Sequence, residues 1–376
     1  MIDQTNCCGC GACSNICPKE AIKMNLDGNG FIFPEIDQEK CIQCKLCEKT
    51  CPRLSLLKCN VVGQTYYAAY SKDLEVRKHS SSGGLFSAIS DYIIDNGGYV
   101  VGVKENEDLS LSMEIVSTKE ERNRFRKSKY VQCLTGNIYS AVKEKLDEGK
   151  LVLFTGLPCQ VAALRLFLRK DYKNLICVDI LCHGIPSEAL FKEYIEWKEK
   201  KASKKIVKYN FRDRHNELGW KKTVFSAEYS DGSKEIIDSR YDYFFGLFYR
   251  DIGHRDSCFK CVHRNINRPG DITLGDFWNV EKFFPDIDTF NGVSLLIVNN
   301  DKGKDLIKRI SSTIELKQCD LSRDLPVTML ENNPPNKYRD KFFALRKKRG
   351  FSFACFIYVF LFRVAMKLHL VPKNYK

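Results

Sequence analysis

The sequence lacks the fingerprints of most common enzyme classes. No Gly-x-Gly-x-x-Gly follows a predicted strand, which leaves a Rossmann dinucleotide site unsupported, and there is no Walker A loop. No Ser–His–Asp order, HExxH or paired-carboxylate spacing stands out, so there is no hydrolase case. The apolar run Phe351–Phe362 is twelve residues long, against the ~20 needed to span a bilayer. The chain opens Met1-Ile2-Asp3-Gln4-Thr5 and runs straight into cysteines. That opening carries no signal peptide, so a cytoplasmic location is expected. Low-complexity segments are absent. Excess charge is scarce in the body: the chain carries +13, but Lys337–Lys376 holds eleven Lys/Arg against one acid, Asp340. The nearly neutral remainder argues against a nucleic-acid-binding body.

What is abundant is cysteine, 18 in 376 residues. With 44% hydrophobic and 28% charged residues the chain is globular and long enough for two or three domains. Tightly spaced cysteines in a large chain without a secretion signal read as metal ligands kept reduced. Cys7-x2-Cys10-x2-Cys13-x3-Cys17-Pro18 is repeated with identical spacing as Cys41-x2-Cys44-x2-Cys47-x3-Cys51-Pro52. Three cysteines at i, i+3 and i+6 wrap one corner of a cubane, and the fourth points at the other cluster. The expected sets are Cys7, Cys10, Cys13 and Cys51 on one [4Fe–4S] cluster and Cys41, Cys44, Cys47 and Cys17 on the second. Gly9 and Gly11 let the first loop fold back on its cluster. Cys8 reads as a spectator. Zinc prefers two CxxC pairs, not four cysteines ending in Pro twice over.

After residue 61 the texture changes to apolar strands alternating with amphipathic helices, the pattern of an α/β domain. Strands are expected at 61–70, 99–103, 111–117, 151–155, 175–181, 206–211, 223–229, 235–237, 272–274 and 293–298. Helices are expected at 84–96, 138–148, 159–169, 187–200 and 302–311. The fold class is therefore α+β: a bacterial-type two-cluster ferredoxin domain at 1–58, an α/β domain at 61–330 and a basic, apolar helical tail at 337–376. Asn332-Asn333-Pro334-Pro335-Asn336 reads as the linker before the tail.

Four further cysteines stand at telling places. Cys159, in Gly156-Leu157-Pro158-Cys159-Gln160, sits at a strand-to-helix turn, where the helix N-terminus favours a thiolate. Cys182 ends the next buried strand, and Cys258-x2-Cys261 lies in a loop. These four suit a third [4Fe–4S] site, a zinc site, or, for Cys159 and Cys182, buried small hydrophobes. Cys59, Cys133, Cys177, Cys319 and Cys355 read as small hydrophobes. His183, beside Cys182, reads as a hydrogen-bond donor to a cluster or as a strand cap.

For an anionic cofactor the candidate is Ser80-Ser81-Ser82-Gly83-Gly84 opening a helix, with Arg77, Lys78 and His79 just before it. The alternative is an ordinary Ser cap. Ser128-Lys129-Tyr130 is the second candidate, with Lys129 toward phosphate or ring and Tyr130 stacking. Phe211-Arg212-Asp213 and Asp276-Phe277-Trp278 are candidates for a substrate face. Arg346-Lys347-Lys348-Arg349 before the apolar run reads either as an interfacial anchor on anionic lipid or as a helix packed on protein.

The two ferredoxin motifs, then SSGG, SKYVQ, GLPCQ, CHG, FRDR, CxxC and DITLGDFW in this order, resemble the family of coenzyme F420 hydrogenase/dehydrogenase beta subunits. The likeness runs from about residue 5 to about residue 310. It implies an iron–sulfur flavoprotein oxidoreductase whose flavin exchanges hydride with F420 or another organic partner and passes single electrons to clusters. It also implies Cys159, Cys182, Cys258 and Cys261 as ligands of a third cluster. Flavin contacts are implied at Ser81, Ser82, Gly83, Gly84, Ser128, Lys129 and Tyr130, with FAD preferred over FMN. Relatives act on chlorophyll-type pigments or accompany surface-polysaccharide synthesis. Two alternatives follow: a ferredoxin-dependent reductase of a polysaccharide precursor, and a flavin-free electron relay within a larger complex. Expected partners are an organic redox substrate, a ferredoxin or other redox protein, and the inner membrane face through the tail.

Overall fold

A computed structural model describes residues 3–57, 59, 63–213 and 219–368. Val61, Val62, Arg214 and the last residues of the tail lie outside it. The cysteine-rich segment folds around a hairpin of β1 (Ile22–Leu26) and β2 (Ile32–Ile36), paired antiparallel from Ile22↔Ile36 to Leu26↔Ile32. Two short helices, Ala12–Asn15 and Leu46–Thr50, follow the two cysteine loops.

The body is built on an eight-stranded mixed sheet. Its strands are β3 (Thr65–Ser71), β4 (Tyr99–Glu105), β5 (Leu111–Val116), β6 (Val152–Gly156), β7 (Leu175–Ile180), β11 (Ile272–Asp276), β12 (Ser294–Val298) and β13 (Ile314–Cys319). Their spatial order is β13-β3-β12-β11-β7-β6-β4-β5. The central neighbours β4, β6, β7 and β11 run parallel; the outer pairs are antiparallel. β12 is buried at every position and β7 at all but its last, the near-continuous apolar run expected of strands covered on both faces. A separate meander of β8 (Ile206–Asp213), β9 (Val224–Tyr229) and β10 (Lys234–Asp238) packs on one side. The expected elements match these closely. The β1–β2 hairpin, edge strand β13 and helix Tyr243–Tyr249 go beyond the sequence expectations.

The segments share one core instead of standing apart. Cys7, Cys10, Ala12, Phe31 and Phe33 are buried in the same cluster as Phe154, Leu164, Phe191 and Tyr194 of the body. Asn15 donates to the Gly136 carbonyl at 2.6 Å and Tyr139 to the Cys10 carbonyl at 2.8 Å.

The tail joins that core too, as the packed-helix alternative expects. Helix Arg339–Arg349 and the helical turns from Phe351 onward bury Phe342, Phe343, Phe351, Ala354, Cys355 and Val359. Phe343 meets Phe31 edge-on at 6.1 Å. Arg346 makes a two-pronged pair with Glu193, both contacts at 2.7 Å. A Cβ at Gly246 would meet Val359 Cγ1 at 2.4 Å, so glycine there lets the tail approach. Phe353, Phe356, Phe360 and Leu361 remain exposed on the outer face. Among the described residues no helix is long and apolar enough to cross a membrane.

Candidate iron–sulfur sites and aromatic shelf

Two adjacent cavities are lined by cysteine. The first contains Cys7, Cys10, Cys13 and Cys51, with Cys8, Cys47, Gly11, Met24, Pro34 and Leu54 on its wall. This is the first ligand set expected from the crossed spacing, gathered from two loops well separated in sequence. Gly9 and Gly11 sit at φ 66° and 73°, the left-handed region that glycine adopts without strain. A Cβ at either would strike Gln132 or Thr135, so the loop lies tight on the body. Desolvation pushes the Cys7 thiol up to about 11 and that of Cys13 to about 12. Buried thiols of this kind ionise when a metal takes their protons. Cys17 accepts from the Ala21 amide at 3.3 Å, and Cys44 is exposed. The second set, Cys17 with Cys41, Cys44 and Cys47, rests on the spacing alone.

The second cavity brings together Cys159, Cys182, Cys258 and Cys261, with Cys8, Cys10 and Cys133 also on its wall. Cys159 and Cys182 follow β6 and β7, hydrogen-bonded neighbours, so both emerge at the carboxyl edge of the parallel sheet. Pro158 opens the helix Pro158–Leu168, and Gln160 accepts from the Leu157 amide at 2.9 Å, which fixes Cys159 in the first turn. Cys258 and Cys261 belong to a loop clamped by Arg268. Arg268 is buried and pairs with buried Asp179 at 2.7 Å, and Asp179 also accepts from the Gly270 amide. Desolvation pushes Cys182 up to about 11 and Cys258 up to about 12.

The donor set fits a [4Fe–4S] centre. Thiol sulfur is its ligand, and a tetrathiolate cluster is anionic. Arg53 and Arg264 line the same cavity and supply opposing charge, whereas Arg268 on the same wall is balanced by Asp179. Arg264 donates to the His183 carbonyl at 2.6 Å, and Arg53 to the Lys260 carbonyl at 2.6 Å. His263 lines the cavity, and burial holds its imidazole down at about 4, hence neutral. His183 also lines it; its Nε2 lies 2.9 Å from Asp251, which His183 and His254 together hold well below the usual carboxylate range against its burial.

Cys8 is the residue that sequence reasoning passed over. It lines both cavities. Adjacent residues on an extended loop point opposite ways, so the Cys7-Cys8 doublet was the available signal. Of the five cysteines read as small hydrophobes, Cys133, Cys177 and Cys355 are buried, and Cys59 and Cys319 are half-buried.

The residues expected to hold a flavin converge only in part. Ser81 Oγ accepts from the Ser128 amide at 2.8 Å, and Ser81 O accepts from Trp220 Nε1 at 3.1 Å. Trp220 stacks on Trp278 at 4.9 Å and 7°, with the Arg212 guanidinium 4.9 Å over the Trp278 ring and paired with Asp276. Tyr130 packs edge-on against Phe211, Phe245 and Phe248. These side chains form a shelf at the carboxyl end of β11, the same sheet edge as Cys159 and Cys182, and Trp278 is 45% exposed there. The remaining residues of the two motifs have partners within the fold. A Cβ at Gly83 would meet Ala69 O at 2.5 Å and Ser294 N at 2.9 Å, so Gly83 is small to pack on the sheet. Ser82 donates to the Val293 carbonyl at 3.1 Å, and Gly84 begins the helix Leu85–Asp95 at φ 86°. Lys129 donates to the carbonyls of Arg124, Phe125 and Arg126 at 3.3, 3.3 and 3.1 Å, closing the turn before it.

Comparison with known proteins agrees with the cysteine architecture. A 4Fe-4S dicluster domain model matches residues 6–54. Models of the N-terminal and C-terminal parts of the beta subunit, coenzyme F420 hydrogenase/dehydrogenase, match 66–139 and 149–323. The chain is 24% identical over 234 residues to one of the subunits of the F(420)H(2) dehydrogenase of Methanosarcina mazei, covering 57% of this chain and 61% of that relative's length. A chain of the F420-reducing [NiFe] hydrogenase complex from Methanosarcina barkeri is 16% identical with a TM-score of 0.45, over 77% of this chain and 89% of that one. The chain belongs to the family of coenzyme F420 hydrogenase/dehydrogenase beta subunits, an oxidoreductase family, and carries an N-terminal 4Fe–4S dicluster domain.

Proposed function

We propose that the protein passes electrons between an organic hydride carrier of the F420 type and a chain of [4Fe–4S] clusters, with a flavin, FAD in preference to FMN, between them. The observation that carries this reading is the shared wall of the two thiol cavities, Cys8 and Cys10. When bound, the clusters supply one-electron steps and the flavin supplies the exchange with a two-electron carrier. Cys7, Cys10, Cys13 and Cys51 hold one cluster, and Cys159, Cys182, Cys258 and Cys261 hold the third. Arg53 and Arg264 favour the reduced, more negative state of the third. The Trp278 face, with Arg212 over it, offers a planar ring a stacking surface on the third cluster's side of the sheet. Redox partner proteins are expected. Lipid contact falls to the exposed outer face of the tail.

Anaerobically purified protein tests this by iron, sulfide and flavin quantitation followed by a donor screen. Reduced F420 should bleach flavin and then clusters, faster than NADH does. Clusters without flavin would favour an electron relay. Flavin that responds only to reduced ferredoxin would favour reduction of a surface-polysaccharide precursor.

A further inference from the structure

The run Phe351–Phe362 holds no charged side chain, yet the protein covers only one side of it. Phe351, Ala354, Cys355 and Val359 face the core. Phe353, Phe356 and Phe360 face away, each between 42% and 46% exposed, and Leu361 is exposed beside them. Their spacing of three and four puts the three rings on one side of a helix, and Phe356 stacks on Phe360 at 5.4 Å. A helix at the surface of a water-soluble body turns polar residues outward. This one is apolar all round, so its outer side calls for a second apolar medium.

Charge identifies that medium. The inward-facing arginines of the tail have partners: Arg339 pairs with Asp256 at 2.9 Å, Arg346 with Glu193 at 2.7 Å, and Arg363 donates to the Asp242 carbonyl at 2.7 Å. The cations at the two ends of the apolar run do not. Lys347, Lys348 and Arg349 before it and Lys367 after it are exposed, and among the described residues none of them forms an ion pair. The tail's one acid, Asp340, is turned to Arg339 at 3.3 Å. Lys367 Nζ lies 5.9 Å over the ring of Tyr241, itself 62% exposed, a pairing suited to the level of lipid headgroups.

We propose that the tail lies in the plane of an anionic lipid surface, its inner side packed on the protein and Phe353, Phe356 and Phe360 set into the acyl boundary. Lys347, Lys348, Arg349 and Lys367 meet anionic headgroups at its ends. This rests on the reading that lipid contact falls to the tail's outer face, and adds which lipid, which residues and which orientation. A helix of this kind sinks about 5–10 Å, and each cation at an anionic surface adds to the attraction. Because Arg346 and Val359 tie the inner side to Glu193 and Gly246, the body is held on the membrane with this helix beneath it.

Sedimentation of anaerobically purified full-length protein with vesicles tests it, phosphatidylcholine alone against phosphatidylcholine mixed with phosphatidylglycerol. Binding should be far stronger to the mixed vesicles and should weaken as salt rises. Lys347→Gln/Lys348→Gln/Arg349→Gln should weaken it about a hundredfold, and Phe356→Ser/Phe360→Ser about tenfold. Both variants change exposed side chains, so iron content and melting temperature should match the wild type. Equal binding to both vesicle types, or binding indifferent to salt, would overturn the anionic selection and leave lipid contact standing. Binding untouched in Phe356→Ser/Phe360→Ser would overturn the insertion of the rings. No binding to either vesicle would defeat the lipid reading as well. A dimer in light scattering that Phe356→Ser/Phe360→Ser abolishes would assign the outer side to a second copy of the chain and overturn the proposal.

Discussion

Arg255 donates through Nε to the carbonyl of Cys7, 248 positions earlier in the chain, at 2.6 Å. It is 1% exposed, donates again to the Ile32 carbonyl at 2.6 Å and to Gln132 at 3.0 Å, and lies 4.0 Å over the Phe33 ring. One guanidinium, three residues before Cys258, thus ties the first cluster loop, the β1–β2 hairpin and the CxxC loop together. Replacement by Leu leaves two buried carbonyls without donors. Arg255→Leu is expected to lower stability by about 3 kcal/mol, seen as a lower melting temperature in anaerobic thermal denaturation. An unchanged melting temperature would mean that the dicluster segment docks without it.

The crossing of the fourth cysteines gives a second expectation. Cys51 shares the cavity of Cys7, Cys10 and Cys13. Cys51→Ser should damage that cluster and spare the one assigned to Cys41, Cys44 and Cys47. Cys17→Ser should do the reverse. Cluster-resolved EPR of the two variants separates these outcomes; damage to the neighbouring cluster in each case would contradict the crossing.

The tail is a structural element on its inner face. Phe342 is fully buried and packs on Phe343 and Tyr358. Phe342→Ala should cost about 3–5 kcal/mol, the range for emptying a buried aromatic site. Urea denaturation measures it. A cost near zero would mean that the tail does not hold the core, and would return it to the role of a free anchor.

Burial lifts the Glu105 carboxyl to about 7, with Lys129 opposing the shift. A carboxyl with a raised folded-state pKa binds its proton better in the fold than in the unfolded chain. Its contribution is therefore greatest at low pH and is lost as pH rises from about 4.5 through about 7. Glu105→Gln should raise stability at pH 8 by about 1–2 kcal/mol and change it less at pH 5.5. Melting curves at the two pH values decide it; equal effects at both would place the shift elsewhere.

The doubled cysteine motif and the alternation of strands and helices made the first thiol cavity and most of the sheet legible. Cys7, Cys10 and Cys13 are local to one loop, and the crossed spacing points to Cys51 from the other. Cys159 and Cys182 were placeable because buried strands deliver their ends to one edge. Cys8 was not, since its meaning depends on two cavities meeting at one sulfur. Gly83 is ambiguous for a related reason: a glycine before a helix suits both phosphate approach and packing, and the Ala69 carbonyl beside it shows the packing role. The three carbonyl acceptors of Lys129 were not legible, because they belong to a turn with no sequence signature. The tail's inner face was ambiguous at a length where apolar helices serve either protein or lipid.

The proposed electron transfer from the dicluster segment into the body depends most on the nature of the site lined by Cys159, Cys182, Cys258 and Cys261. Anaerobic metal analysis with Mössbauer spectroscopy of wild-type protein and a Cys258→Ser/Cys261→Ser double variant tests it directly. The wild type should hold three [4Fe–4S] clusters, and the double variant should lose about four iron atoms per chain while both dicluster signals survive. Zinc at this site, or the same iron content in both proteins, would contradict it.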